Sequence, residues 1–522
     1  MARIKSRSLY ELVKSMSKNE KRYFKLLYGS SGNGEDKKML ILFDYMNKQK
    51  EFDEDSIADK LPSLKTEQLS NMKAYLYDKL LQAVRLFNAP KILDLQIREQ
   101  IDYAQLLFSR RLYTQGMNSL KKARKMALVH DNLELQLEII KLEKSVLMQT
   151  IDHDTVDKVD RIIEEARTIN KRINNINTFS NLSIKLNSFY TKIGYIRDEA
   201  DFLRVKEFFN SNIPDFTEEE LSISEKLNLY KLYVGYYLFI QDFRNGYEYA
   251  LKLVKLFDTH EELKETSTEQ YIKSLNNLLI AQYKLDMYNE FVETNKILHS
   301  IAADYNHSQN ESIRIRLLKY YYIHEINKYF ITGDFTKGVD VLMKSPDTKI
   351  YELLEVVDKH SELIINYKLS CLYFGASDFH GALKWLNRII NIPDGDIRED
   401  LHCFARILNL ICHYELGNYD VIKYYIISTY RFLLKKEDLH LFQKFILKFL
   451  KDLNQNTRDK ELYERFVRLK SQLIPLVNST YEKRAFIYFD IISWLESKIE
   501  KRLIQDVIQE KVSLKYKSDK AS

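Results

Sequence analysis

One loop of the sequence has the glycine spacing of a phosphate-binding site. Gly29 and Gly34 are separated by four residues, as in the P-loop of nucleotide-binding proteins. Glu35 and Asp36 follow, however, where that motif needs a lysine and then a serine or threonine. Because two carboxylates at this place would repel a phosphate group, the sequence predicts an ordinary loop.

Two groups of histidine and cysteine residues have partial metal-site patterns. His324-Glu325 begins like the helical zinc motif of metalloproteases, but the second histidine of that motif is replaced by Lys328. The other group comprises His402, Cys403, Cys412 and His413. On a helix, a separation of nine residues places the two cysteines on opposite faces, and the two histidines lie roughly 16 Å apart, too far for one zinc ion. We therefore expect no metal site and no cofactor.

Motifs for nucleophilic catalysis are also missing from the sequence. No Gly-x-Ser-x-Gly elbow occurs, and no cysteine has an obvious histidine and aspartate partner. These observations indicate that the chain is not an enzyme.

The cysteine count and the apolar runs bear on the cellular compartment. Three cysteines make an odd number in a long chain, which favours a reducing compartment over a disulfide framework. The run Leu232–Ile240 is among the longest apolar stretches, far below the roughly 18 to 20 residues that span a bilayer. The basic N-terminus is not followed by the apolar segment of a secretory signal. We expect a cytoplasmic protein with no membrane partner.

The low content of glycine and proline predicts an all-α fold. The chain has 13 Gly and 6 Pro among 522 residues, well below the usual shares of about 7% and 5%. Hairpins, sheets and irregular loops need those residues, whereas helices joined by short polar turns do not. A chain of this length exceeds one compact core, but a repeat array avoids that limit because each unit packs only on its neighbours.

A recurring turn pattern indicates repeated helical hairpins. A large apolar residue is followed five positions later by an aromatic residue and three positions after that by a small or apolar residue. The pattern fits Phe108/Tyr113/Gly116, Leu238/Phe243/Gly246, Tyr283/Tyr288/Phe291, Phe330/Phe335/Gly338, Phe374/Phe379/Ala382 and Tyr414/Tyr419/Ile422. Five central aromatics lie 45, 47, 44 and 40 residues apart, and a near-constant spacing of this size is typical of helical solenoids. The aromatic is expected to fill the corner between two helices, and the small residue to permit their close approach.

These turns resemble those of the tetratricopeptide repeat. The resemblance rests on Tyr-x-x-Gly-Asn-Tyr at 414–419, Phe-x-x-Gly-Asp-Phe at 330–335 and Phe-x-x-Ser-Asp-Phe-x-x-Ala-Leu at 374–383, and it covers roughly residues 95–435. It implies a right-handed superhelix of antiparallel helical hairpins. The units here are two or three helical turns longer than the family's 34-residue repeat. A HEAT-type superhelix is the nearest alternative.

Four segments follow from these patterns. Residues 1–90 are expected to form a small, basic N-terminal helical domain, in which Ser17 and Glu20 make a capping box before an apolar run. Residues 91–438 contain the repeats, and residues 439–514 are expected to form a C-terminal helical cap over the last apolar face. Residues 515–522 are a polar tail.

The repeat register predicts a partner-binding stripe. Positions 15, 12, 8 and 4 residues before each turn aromatic fall on one face of the first helix. In tetratricopeptide repeats the corresponding face lines the concave groove. Here it carries Asn228, Lys231, Lys273, Asn276, Lys284, Tyr320, Asn327 and Tyr367. Lysine and asparagine supply the donors and planar amides that hold carboxylates and peptide backbone, although a solvated helix face would show the same residue types.

Two functions follow as hypotheses. The first is a non-enzymatic scaffold or adaptor that binds a protein or peptide in the groove, with no cluster of buried, perturbed ionisable groups. The second is a peptide- or protein-responsive transcriptional regulator whose residues 1–90 bind nucleic acid through a helix-turn-helix or winged-helix pair. Its candidate contacts are Lys73, Lys79 and Arg85, which stand among apolar residues that belong in a core.

Overall fold

The structure, a computed structural model, is all-α in its described part. It describes residues 6–29, 34–53, 57, 66–148, 155–305, 310–346, 348–392, 397–436, 438–453, 458–479, 482, 486 and 489–519. These residues form 25 α-helices and one short 3-10 helix, Glu218–Glu220, and contain no strand. The chain divides into two compact units, Met1–Ile173 and Asn174–Ser522, which are described separately below.

The first unit contains seven complete helices and the start of an eighth. They are α1 (Ser6–Ser15), α2 (Lys18–Gly29), α3 (Gly34–Lys48), α4 (Thr66–Asn88), α5 (Leu93–Ser109), α6 (Tyr113–Val129), α7 (Leu133–Leu147) and α8 (Thr155–Ile193), within which the division falls. Helices α1 to α4 pack around Phe24, Phe43 and Leu76. The capping box is confirmed, since Ser17 N donates to the Glu20 carboxylate at 2.8 Å and Glu20 N donates to Ser17 Oγ at 3.2 Å. Most of the loop after Gly29 lies outside the described residues.

The second unit continues as helices that pack mainly on their chain neighbours. Its helices up to the third hairpin are α9 (Glu199–Asn212), α10 (Ile223–Phe239), α11 (Phe243–Thr259), α12 (Glu261–Thr266), α13 (Thr268–Lys284), α14 (Tyr288–Tyr305), α15 (Glu311–Thr332) and α16 (Phe335–Met343). The remaining helices are α17 (Ile350–Val356), α18 (Lys359–Gly375), α19 (Phe379–Ile390), α20 (Glu399–Glu415), α21 (Tyr419–Lys435), α22 (Leu441–Asp452), α23 (Asp459–Val477), α24 (Ile491–Glu500) and α25 (Ile504–Asp519). Helices α10, α13, α15, α18 and α20, the first members of successive hairpins, also contact one another in that order.

The predicted turns are confirmed and share one backbone conformation. The second helix of each hairpin begins at the central aromatic residue, namely Tyr113, Phe243, Tyr288, Phe335, Phe379 and Tyr419. Two residues earlier the backbone is left-handed, with φ of 64° at Arg111, 64° at Gln241, 54° at Asp286, 74° at Gly333, 61° at Ser377 and 72° at Gly417. A left-handed residue lets the chain leave one helix and enter the next. Glycine, which adopts the left-handed conformation most readily, occupies this position in only two of the six turns. The conformation could therefore be recognised from the residue type only in those two turns.

Close approach of the paired helices accounts for the small residues in the pattern. A Cβ atom on Gly116 would lie 2.4 Å from the Phe108 ring, and one on Gly246 would lie 3.1 Å from Leu238. Each contact joins the first and third positions of the predicted pattern. The large residue of the first helix therefore packs directly on the backbone of the second.

Two substitutions at the left-handed position test this account of the turns. We expect Gly417→Ala to lower the free energy of unfolding by about 1 kcal/mol, because a Cβ is disfavoured at positive φ. No described heavy atom lies within 4 Å of the place for that Cβ, so no clash contributes. Ser377→Gly relieves the same penalty and should raise stability by up to about 1 kcal/mol. Urea unfolding measures both changes, and a loss of stability in Ser377→Gly would contradict the account.

The C-terminal helix contacts a hairpin that is distant from it in the sequence. Helix α25 packs on α24 and also contacts α15. Gln505 Oε1 accepts a hydrogen bond from Thr336 N at 2.8 Å, and Gln509 Nε2 donates to Asp334 Oδ1 at 2.8 Å. The segment that was expected to be a terminal cap therefore reaches the turn between α15 and α16.

Two further sequence expectations concern chain segments. The predicted domain limits at residues 90 and 438 do not coincide with the division after Ile173, and they stay predictions. Among the described helices, none combines the length and the apolar character needed to cross a membrane.

Candidate functional site

A cavity of about 720 Å³ lies between the first helices of successive hairpins in the second unit. Helices α10, α13, α15 and α18 line it, together with the second half of α8 and the residues around the start of α20. Its volume falls in the range of pockets that enclose ligands of drug-like size. Most of its lining surface is apolar, and polar side chains project from each of the four helices.

The structure brings seven of the eight stripe residues to this one cavity. These are Lys231, Lys273, Asn276, Lys284, Tyr320, Asn327 and Tyr367. Asn228 does not line it, and its side-chain amide donates instead to Ser224 O at 2.9 Å within its own helix. The repeat register thus selected residues that lie together in space although they span four helices.

Sequence reasoning missed several polar residues of the same lining. Lys319 and Lys368 lie 16 and 11 positions before their turn aromatics, one residue beside the stripe. A stripe widened by one residue would have included both. His360 and Arg398 also line the cavity. Arg398 precedes α20 and lies outside the hairpin register, so the repeat pattern carries no signal for it.

The lining of the cavity is strongly basic. It contains five lysines and one arginine, and among the described lining residues there is no aspartate or glutamate. Lys273 pairs with Glu269 at 2.9 Å and Arg398 pairs with Asp400 at 2.8 Å, and neither carboxylate belongs to the lining. Lys231, Lys319 and Lys368 contact the neutral oxygens of Gln270, Ser361 and Asn327. The cavity therefore offers positive charge to whatever enters it.

Hydrogen bonds between neighbouring first helices hold the polar lining in place. They join Lys231 to Gln270 (3.0 Å), Asn276 to His324 (3.0 Å), Asn327 to Lys368 (2.5 Å) and Lys319 to Ser361 (3.1 Å). In three of the bonds a lysine donates to a neutral oxygen. These bonds tie α10 to α13, α13 to α15 and α15 to α18.

The buried His324 explains the role of the two predicted asparagines. Burial lowers the pKa of His324 to about 3, so the ring is neutral. Its Nε2 donates to Asn276 and its Nδ1 accepts from the Asn327 amide at 3.3 Å. Asn327 Oδ1 in turn accepts from Lys368. Both asparagines were expected to hold a partner's backbone, but the structure shows them engaged in positioning the histidine and the lysine.

Burial lowers the pKa of the cavity lysines. Burial and then the nearby Lys273 lower the pKa of Lys231 to about 8. Burial also lowers the pKa of Lys368 to about 8. The pKa of Lys284 is lowered well below its usual value, by burial first and by Lys368 next. Each lysine is harder to protonate because water is scarce and like charges are close.

The expectation of a site without buried, perturbed ionisable groups is wrong. Lys231, Lys284 and Lys368 form such a cluster in the described part of the second unit. The repeat register predicted Lys231 and Lys284 on one face but gives no measure of how deeply each lysine is buried, which is what shifts the pKa values.

The candidate nucleic-acid contacts of the first unit occupy different environments. Lys73 is buried, with 7% of its surface exposed. The Lys79 ammonium lies over the rings of Tyr28 and Tyr75, at 5.4 Å from each centroid. Arg85 is mostly exposed and lies 3.8 Å from Asp102. The three residues do not share one exposed basic face, so the geometry lends no support to the nucleic-acid hypothesis.

The histidine and cysteine residues considered as metal ligands lie apart. Cys403, Cys412 and His402 are buried in α20. Within the described ranges, no three histidine, cysteine, aspartate or glutamate side chains are grouped so that they could hold a metal ion.

Comparison with known proteins provides no family assignment for this arrangement. The sequence matches no family model. It also has no significant similarity to any curated protein.

Proposed function

We propose that the chain is a non-enzymatic recognition protein that binds a peptide segment of a protein partner in the cavity of residues 174–522. The observation that carries this proposal is the convergence of seven stripe residues on one cavity. They were selected by the repeat register and by their polar or tyrosine side chains, and the register corresponds to the concave face of tetratricopeptide repeats. Helical repeats typically use such a face for extended partners.

The distribution of polar groups favours a peptide over a compact small molecule. Each of the four first helices contributes at least one lysine to the lining, so donors are spread over the length of the cavity. A row of donors suits a ligand with a repeating backbone, since a peptide presents an acceptor at every residue. Rows of helix-borne side chains also meet an extended chain at regular intervals.

Affinity purification with matched variants tests the proposal. The intact chain would be recovered from cells that express it, and bound proteins would be identified by mass spectrometry. We expect Lys231→Glu combined with Lys273→Glu to lose the main partner, because both ammonium groups line the cavity. The control is Lys255→Glu combined with Lys423→Glu, which reverses the same number of charges at exposed positions outside the lining.

Capture of a protein by the intact chain does not by itself support the proposal. The comparison of the cavity variant with the control variant decides whether the partner binds in the cavity. A partner that the cavity variant loses and the control retains supports binding in the cavity. A partner that both variants retain equally would contradict the proposal, provided that circular dichroism shows both variants to be folded.

A further inference from the structure

The cavity lysines recur with the hairpins. Lys231 belongs to α10, Lys273 and Lys284 to α13, Lys319 to α15 and Lys368 to α18. Because these helices contact one another in sequence, Lys231, Lys273, Lys319 and Lys368, each 11 to 16 positions before its turn aromatic, form a row across them, and Lys284 lies nearer the turn. Packed helices are separated by about 8 to 10 Å between axes, which sets the approximate spacing of the row.

The charge of this row calls for an anionic occupant. Lys231, Lys319 and Lys368 donate to the neutral oxygens of Gln270, Ser361 and Asn327. A carboxylate is a stronger acceptor for an ammonium group than a neutral oxygen is. In a cavity with little water, an anion would also relieve the mutual repulsion of the lysines.

Apolar side chains lie between the charged ones. Leu232 and Leu238 of α10, Ile323 and Phe330 of α15 and Ile364 of α18 all line the cavity. A ligand that carried only charge would leave this surface without contacts. An occupant with alternating acidic and apolar groups satisfies both features.

From this arrangement, and resting on the proposed peptide-binding function, we infer that the occupant is an extended acidic peptide. Its carboxylates recur about every third residue, because an extended chain advances about 3.3 Å per residue and the lysine row advances about 9 Å per helix. Apolar residues occupy the positions between the carboxylates. Aspartate and glutamate side chains, rather than phosphate groups, are the anions, because the lining presents lysines and its single arginine is already paired with Asp400.

The surroundings of Lys231 and Lys368 make the binding pH-dependent. Lys231 faces Lys273 and Gln270 of α13. Lys368 faces Tyr283 and Lys284 of α13 and Arg398 before α20, besides Cys371 of its own helix. From α15 it faces the buried His324, the Asn327 side chain and the Phe330 ring. A lysine with a pKa of about 8 is mostly charged at pH 7 and mostly neutral at pH 9. An acidic ligand therefore binds more weakly as the pH rises.

Peptide display on the intact chain tests the inference. A library of random twelve-residue peptides would be selected at pH 7, with the Lys231→Glu/Lys273→Glu variant used to remove peptides that bind elsewhere. We expect the selected peptides to carry Asp or Glu at about every third position with apolar residues between them. Substituting Gln for Glu in one selected peptide should weaken binding at least tenfold. Raising the pH from 7 to 9 should weaken it by about tenfold for each titrating lysine.

Three results separate the inference from the function on which it rests. Selected peptides that are acidic, correctly spaced and lost in the Lys368→Met variant support both. Cavity-dependent peptides that are neutral, basic or strongly preferred when phosphorylated overturn the acidic-peptide inference and leave the proposed function standing. A library from which no cavity-dependent peptide emerges, while small organic anions do bind the cavity, overturns both.

Discussion

Asp400→Ala is expected to lower the free energy of unfolding by about 3 to 5 kcal/mol. The Asp400 carboxylate binds the Arg398 guanidinium through two hydrogen bonds of 2.9 and 2.8 Å. The side chains are 0% and 3% exposed, respectively, so the pair is shielded from bulk water. Removing the carboxylate leaves the guanidinium buried without its principal counter-charge. Denaturant unfolding followed by circular dichroism measures the loss.

A matched control distinguishes this effect from the loss of any ion pair. Asp340 pairs with Lys344 at 2.8 Å, but both side chains are more than half exposed. Asp340→Ala should therefore change stability by less than about 0.5 kcal/mol. Equal, small effects of the two substitutions would show that the buried pair does not stabilise the start of α20. Because Arg398 also lines the cavity, its displacement in Asp400→Ala should weaken ligand binding as well.

The second large effect is a gain in stability. Replacing Lys284 and Lys368 together with methionine should raise the free energy of unfolding at pH 7 by about 2 kcal/mol, because apolar side chains of similar length replace two amines that burial makes costly to hydrate and to charge. The same variant should lose binding of the acidic peptide. A gain of stability coupled to a loss of binding is typical of residues kept for function. Thermal unfolding and a peptide titration measure the two changes.

The pH dependence of stability provides an independent check on this variant. The Lys368 pKa is about 8 in the folded protein, against an ordinary value of 10.5. Between these pH values this lysine binds more protons in the unfolded chain than in the folded chain, so its contribution to stability rises with pH in this window. The double variant should show a smaller rise. The control, Lys255→Met with Lys423→Met, changes exposed lysines and should retain both the rise and the peptide binding.

The helical hairpins could be predicted because their turns obey local rules. At six places the second helix begins at an aromatic residue that follows a polar turn. At Gly116 the absence of a side chain leaves room for the Phe108 ring. These features depend on residues within one hairpin. The superhelical, tetratricopeptide-like arrangement stays a prediction, because a superhelix depends on small angles between hairpins, which no local pattern specifies.

Much of the candidate site could also be predicted, because the stripe is set by the same register. Lys231, Lys273 and Tyr320 reach the cavity from three helices for that reason. The roles of single residues could not be predicted in the same way. Asn327 was expected to face a partner, but its hydrogen bonds to His324 and Lys368 depend on how α15 packs against α18.

Residues outside the register were beyond prediction for a simpler reason. Arg398 lies before α20, and its backbone N–H donates to Thr191 O of α8, a contact between residues more than 200 positions apart. Such a contact follows from packing between distant segments, which composition and periodicity do not describe. Lys73, a candidate nucleic-acid contact of the second hypothesis, is buried, in keeping with the apolar residues around it in the sequence.

Photo-crosslinking from inside the cavity tests the peptide-binding function most directly. Benzoylphenylalanine would replace Gln270, an exposed lining residue, in the intact chain, with Tyr424, which is 72% exposed and outside the lining, as the control position. We expect position 270 to crosslink to one linear, acidic segment of a partner, and the Lys284→Met/Lys368→Met change to abolish that crosslink. A partner segment captured equally from position 424, or no partner crosslink from position 270 while the partner is bound, would contradict recognition in the cavity.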